Sequence, residues 1–161
     1  MAEKIIVNAS PLIFLSRSNH LGLLKSFADE VWIPEPVAEE ISQRGRRDIT
    51  VQAINNTSYL IMQPVGDIPA SVLEWRLGIG ESSVLALGVA YPGTEVIIDD
   101  LVGRRCADSL GIPVRGTLGL VLIAKKRGVI PEARSVIEDM MNNGLYLSKK
   151  VLNLALQRVG E

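Results

Sequence analysis

Short β-branched runs alternate with helix-patterned segments along the chain, and that alternation restricts the possible folds more than any other feature of the sequence. Lys4 to Asn8 carries Ile5-Ile6-Val7 and stops at Asn8-Ala9-Ser10-Pro11, where a side chain able to cap precedes a proline suited to a first helical turn. Leu21 to Phe27 reads as helical, Glu30 to Ile33 as a strand, and Pro34-Glu35-Pro36 opens a helix to about Ser42. The polar stretch Gln43 to Asn56, with Ile49, Val51 and Ile54 in helical phase, predicts another helix before a strand at Tyr59 to Met62. A short helix over Pro69 to Arg76 is broken by Gly78-Ile79-Gly80 and resumes from Glu81 to Tyr91. Strands at Glu95 to Ile98 and Ile112 to Arg115 then alternate with helices over Leu101 to Leu110 and Thr117 to Arg127, and two last helices cover Pro131 to Asn143 and Ser148 to Val159.

Such alternation predicts an α/β fold whose parallel sheet is covered by helices on both faces. No repeat or low-complexity linker divides the 161 residues, so one domain over 1–161 is expected, with the helices of 131–161 as an extension. The three-residue apolar run near the start is too short for a secretory signal, and Leu118 to Ala124 is too short to span a bilayer, which points to a cytoplasmic protein without membrane association.

In a parallel sheet, ligands sit beyond the carboxyl ends of the strands. The residues there are Asn8, Glu40, Glu81, Asp99 and Asp100. On the helix from Glu81 to Tyr91, at about 100° per residue, Glu81 points the same way as Val84, Leu85 and Gly88. It therefore faces inward, where an acid serving only the helix dipole has no need to be. Glu40 falls at the edge of the buried face set by Val37 and Ile41, while Glu39 meets solvent; an ion pair with a nearby base would also explain Glu40. Asp99 and Asp100 repel unless something positive lies beside them, and capping of the next helix accounts for only one of the two.

Carboxylates converging at one sheet edge need compensation. With one histidine and one cysteine in the chain, the fitting partner is a hard cation held by oxygen, Mg²⁺ or Mn²⁺. Such an ion activates water and stabilises a leaving oxygen, which suits phosphodiester hydrolysis. The 17 Lys+Arg against 18 Asp+Glu leave no overall positive field, so contact with a polyanion must be local. Arg44, Arg46 and Arg47, then Arg104 and Arg105, then Lys125 to Arg127 are the basic clusters. Arg104 either meets a phosphate or the acids, or pairs with Asp108 one turn on. Aromatic residues make up 4% of the chain, so no aromatic stacking platform for bases is expected. In the last helix Leu154 projects away from the apolar face of Val151, Leu152, Ala155, Leu156 and Val159, as core packing or as part of a contact surface.

The phrases Val7-Asn8-Ala9-Ser10-Pro11-Leu12-Ile13, Ile33-Pro34-Glu35-Pro36-Val37-Ala38-Glu39-Glu40-Ile41, Gly80-Glu81 with Ala86-Leu87, Ile97-Ile98-Asp99-Asp100 with Gly103-Arg104-Arg105-Cys106-Ala107, and Gly116-Thr117-Leu118-Gly119 resemble a PIN domain. The resemblance is to the short prokaryotic, nucleic-acid-binding branch related to VapC-type toxins, and it runs in order from about Lys4 to Ser148. It implies a three-layer fold with a central parallel sheet and an Mg²⁺- or Mn²⁺-dependent acidic site that cleaves single-stranded RNA. It also implies a small antitoxin protein as partner and a homodimer. Residue by residue, it puts catalytic roles on Asn8, Glu40, Glu81 and Asp99 or Asp100, metal ligation on Asn8, Glu81, Asp99 and Asp100, and RNA contact on Ser10, Arg104, Arg105 and Thr117. The chain departs from the pattern at Asn8, where PIN nucleases carry aspartate; an amide offers a cation a carbonyl oxygen without charge. A module that binds RNA or protein without cutting is the alternative implied by that departure, and a phosphoacceptor domain is the more distant one suggested by the Asp99-Asp100 pair.

Overall fold

The computed structural model describes residues 2–161. Five strands, β1 (Ala2–Val7), β2 (Ala28–Pro34), β3 (Leu60–Gln63), β4 (Glu95–Ile97) and β5 (Val114–Arg115), form one sheet in the order β3-β2-β1-β4-β5. Every pairing is parallel, with Ile5 opposite Val31 and Val7 opposite Ile97. The central strands are apolar on both faces because helices cover both: Ile5, Ile6, Val7, Val31, Ile33, Val96 and Ile97 are all buried. This is the three-layer α/β architecture with a parallel sheet that the alternation predicts.

The helices are α1 (Ala9–Arg17), α2 (Glu35–Ser42), α3 (Ile49–Asn56), α4 (Ala70–Leu73), α5 (Ile79–Ala90), α6 (Leu101–Ser109), α7 (Thr117–Lys126), α8 (Ala133–Met141) and α9 (Lys149–Gln157). Helix α5 packs on β1, β2 and β4. It approaches the sheet closely at Gly88, where an added Cβ would lie 3.2 Å from Ile112 and 3.3 Å from Val96. Helices α8 and α9 bury Val136, Ile137, Met140, Ala155 and Leu156 in the same core as the sheet. Among the described residues, no helix is long and apolar enough to cross a membrane.

Five local expectations change. Helix α3 starts at Ile49, where the Asp48 side chain caps it, rather than at Gln43. Leu21–Ser26 is a 3-10 helix rather than an α-helix. Helix α4 stops at Leu73, because the chain turns through i to i+3 bonds at Trp75 and Arg76 and Arg76 takes a left-handed φ of 53°. Helix α5 starts at Ile79, so Gly80 lies inside the helix and only Gly78 precedes it. Strand β5 keeps two residues, and Ile112 packs against α5 instead of extending it.

The chain builds the sheet outward from β1 through β2 to β3, then returns to the other side of β1 for β4 and β5. The strand order therefore reverses between β1 and β4, and a crevice opens beyond their carboxyl ends. Asn8 follows β1 there, with its backbone N–H donating to the Ile97 carbonyl at 3.0 Å, and Asp99 and Asp100 follow β4.

Candidate active site

Asn8 opens α1 from an extended backbone, yet its side chain makes no capping bond. The amide turns inward instead, is 4% exposed, and donates from Nδ2 to Glu81 Oε1 at 3.2 Å. Its carbonyl oxygen, Oδ1, is buried and has no hydrogen-bond partner among the described residues. An acceptor left in that state is costly unless something else satisfies it.

Gly80 explains how the site fits together. A Cβ at this position would lie 3.0 Å from Asn8 Oδ1 and 3.4 Å from Glu40 Oε2, so the two oxygens face the same bare stretch of helix. Glycine inside the first turn of α5 lets α1 and α2 bring these side chains against α5. Gly78 plays a similar part, since its Cβ would lie 2.9 Å from Glu81 Oε2. Glu81 itself is half-buried, as its inward phase predicts, and Glu40 is exposed at the rim.

The adjacent aspartates separate. Asp100 caps α6, accepting from the Gly103 N–H at 2.7 Å. An added Cβ on Gly103 would lie 3.4 Å from Asp100 Oδ2 and 3.5 Å from Glu81 Cγ, which puts Asp100 on the Glu81 side. Asp99 turns the other way. Its Oδ1 accepts from the Thr117 backbone N–H and its Oδ2 from the Thr117 hydroxyl, both at 2.7 Å. The positive end of α7 thus supplies the compensation an acidic pair needs.

Arg104 does not pair with Asp108. Its Nη1 donates to the Asp99 backbone carbonyl at 2.7 Å, pinning the turn after β4. Thr117 is fully buried and engaged with Asp99, whereas Ser10 and Arg105 are exposed. Of the other basic groups, Lys125 donates to the Pro131 carbonyl and lies near Glu161, Arg127 sits over the Phe27 ring, and Arg44 pairs with Asp48 at 2.9 Å. Sequence reasoning missed Gly80 as a site residue, reading it as a helix breaker. The signal available was the glycine directly preceding the inward-facing Glu81.

Among the described residues, no three Asp, Glu, His or Cys side chains come together as a metal-binding group. The donors around Gly80 nonetheless suit a hard cation: the unpartnered Asn8 carbonyl oxygen, Glu81 bonded to the same amide, and Glu40 across the glycine. Mg²⁺ commonly takes one or two carboxylates and keeps several waters, so this set is sufficient for it. Asp99, with both oxygens engaged by Thr117, is the acid least free to join.

Comparison with known proteins agrees with this architecture. A family model described as a PIN domain matches residues 4–161, and no curated protein matches the chain. A match over nearly the whole length, on a five-stranded parallel sheet, places the chain in the PIN domain family.

Proposed function

We propose that this chain is a metal-dependent ribonuclease that cleaves single-stranded RNA, and the toxin component of a toxin–antitoxin pair. The observation that carries the reading is the buried, unpartnered Asn8 Oδ1 beside Glu81 and Glu40 at the reversal of strand order. Asn8, Glu40 and Glu81 would hold the Mg²⁺ or Mn²⁺ ion, with Asp100 nearby on the Glu81 side. When bound, the ion supplies activation of water and stabilisation of the leaving oxygen. Asn8 orients Glu81 through its amide, and Gly80 keeps the approach free of side chains. Asp99, tied to Thr117, and Arg104, tied to the Asp99 carbonyl, hold the turn that presents Asp100. Exposed Ser10 and Arg105 are the contacts offered to the RNA, and Thr117 acts through Asp99. The exposed Val151 and Leu154 on α9 are the surface offered to an antitoxin or a second copy of the chain.

A second reading follows from the same contact. An aspartate at position 8 would set two carboxylates against each other and call for a cation, whereas the Asn8 N–H satisfies Glu81 without one. That favours a module that binds RNA or protein and cuts weakly or not at all. Labelled single-stranded RNA incubated with the purified protein in Mn²⁺, Mg²⁺ or EDTA separates the two. Metal-dependent cleavage that is lost in Glu81→Gln supports the nuclease. RNA binding by folded protein without cleavage in either metal supports the module.

A further inference from the structure

We infer that the cavity lined by Trp75, Arg76, Glu81, Asp100 and Val102 is a subsite for one nucleotide of single-stranded RNA, with the base on Trp75 and the phosphate on Arg76. The inference rests on the RNA-nuclease reading and names a part of the substrate's path. The cavity has a volume of about 430 Å³, within the range of small-ligand sites, and shares Glu81 and Asp100 with the acidic site.

Arg76 is the first observation. Its φ of 53° lies in the left-handed region, where a Cβ crowds the backbone carbonyl oxygens. Among the described residues, the other positions with this backbone are glycines and Asn19, residue types that tolerate it. An arginine bears the strain at a place where glycine would not, and strained residues of this kind concentrate at ligand clamps. The turn bonds from the Trp75 N–H to the Val72 carbonyl and from the Arg76 N–H to the Leu73 carbonyl, both 3.0 Å, hold the conformation. Among the described residues the Arg76 guanidinium makes no ion pair, although two carboxylates line the same cavity. Its planar fork of donors is thus available to a phosphate.

Trp75 is the second. It is half-buried and packs on the core, so the ring is held while part of it lines the cavity. The low aromatic content predicts no stacking platform for bases; Trp75 departs from that expectation by offering one ring at the cavity, enough for a single base. Val102, which lines the same cavity, is exposed and offers an apolar edge suited to the face of a base. Gly78, which also lines the cavity, places no side chain beside Glu81 Oε2.

The test uses the full chain in Ca²⁺ buffer, with the strand checked on a gel to be intact. A Trp32→Phe background leaves Trp75 as the remaining one of two tryptophans. A labelled single-stranded RNA oligonucleotide is titrated while its anisotropy and the Trp75 emission are followed. Anisotropy should rise and Trp75 should quench over the same concentrations. Trp75→Ala should weaken binding about tenfold. Arg76→Gly should weaken it roughly fivefold or more and reduce the salt slope by about 0.7, while Tm stays at or above that of the wild type because glycine relieves the backbone. Binding with a silent Trp75 and unchanged affinity in both variants overturns the subsite and leaves the nuclease reading standing. A fall in Tm accompanying the affinity loss in Arg76→Gly overturns the phosphate assignment. No anisotropy change for any protein removes the RNA-binding premise and the inference with it.

Discussion

The two halves of the crevice treat their acids in opposite ways. On the β4 side, Asp99 has both oxygens satisfied by Thr117 at the start of α7, and Asp100 caps α6. On the β1 side, Glu81 receives a hydrogen bond from the Asn8 amide, whose own buried carbonyl oxygen has no partner among the described residues. A carboxylate at a helix N-terminus is compensated by the fold alone, whereas the buried Asn8 acceptor beside the two glutamates finds no such compensation among the described residues. The first arrangement ties the turn after β4 to α6 and α7, and the second is the side to which the proposed function assigns the ion.

If that division is right, the largest effect of substitution falls on the compensated side. Asp99→Ala removes both bonds to Thr117 and leaves the buried hydroxyl and the first N–H of α7 unsatisfied, so unfolding in urea should show a loss of about 3 kcal/mol. Asp100→Ala removes one capping bond and should cost about 1 kcal/mol. Equal losses for the two would erase the distinction between anchor and cap.

On the open side, Asn8→Asp replaces an amide donor 3.2 Å from Glu81 with a second carboxylate. In EDTA this variant should be less stable than the wild type by about 1–2 kcal/mol, having lost a hydrogen bond to a charged group. Added Mn²⁺ should raise its melting midpoint in a concentration-dependent way, and by more than it raises that of the wild type. A variant indifferent to Mn²⁺ would break the assignment of this half to a cation. Gly80→Ala is a finer probe. Alanine favours the helix by about 1 kcal/mol, but its Cβ meets Asn8 Oδ1 at 3.0 Å. Stability should therefore move by less than about 1 kcal/mol while RNA cleavage falls roughly tenfold, the signature of a site disturbed without its fold.

Much of this organisation is legible in the sequence because periodicity and polarity act locally. The apolar runs at Ile5 to Val7 and Val96 to Ile98, and the inward phase of Glu81, need only their neighbours to be read. The partners of the acids are not local. Asp99 meets Thr117 eighteen residues on, and Asn8 meets Glu81 across 73 positions. Which of two adjacent aspartates turns toward which helix depends on where α6 and α7 start in space. Gly80 reads as a helix breaker because its local cost is visible and the side chains it makes room for come from α1 and α2. The backbone of Arg76 escapes the sequence for the same reason, since the turn after α4 overrides what arginine prefers alone.

Asp48 offers the smallest and cleanest reference for a carboxylate satisfied by the fold, because it lies away from the crevice. It caps α3, accepting from the Thr50 and Val51 N–H groups at 2.9 and 3.3 Å, and pairs with Arg44 at 2.9 Å. Burial raises its pKa, but the Arg44 hydrogen bond and the two backbone N–H groups outweigh that, leaving it below the ordinary 3.8. A lowered folded value means that the stabilisation is present above the unfolded pKa and is lost as pH falls through the folded one. Asn at the same position keeps a good cap and removes only the charge. Asp48→Asn should therefore cost a few tenths of a kcal/mol at pH 7, as an exposed ion pair does, and that difference should close as the pH is taken below 3.8. A difference that persisted in acid would show that charge is not what Asp48 contributes. Its likeness to Asp99 would then rest on hydrogen-bond geometry alone, and helix N-termini would be a weaker explanation for how this chain tolerates acids at the crevice.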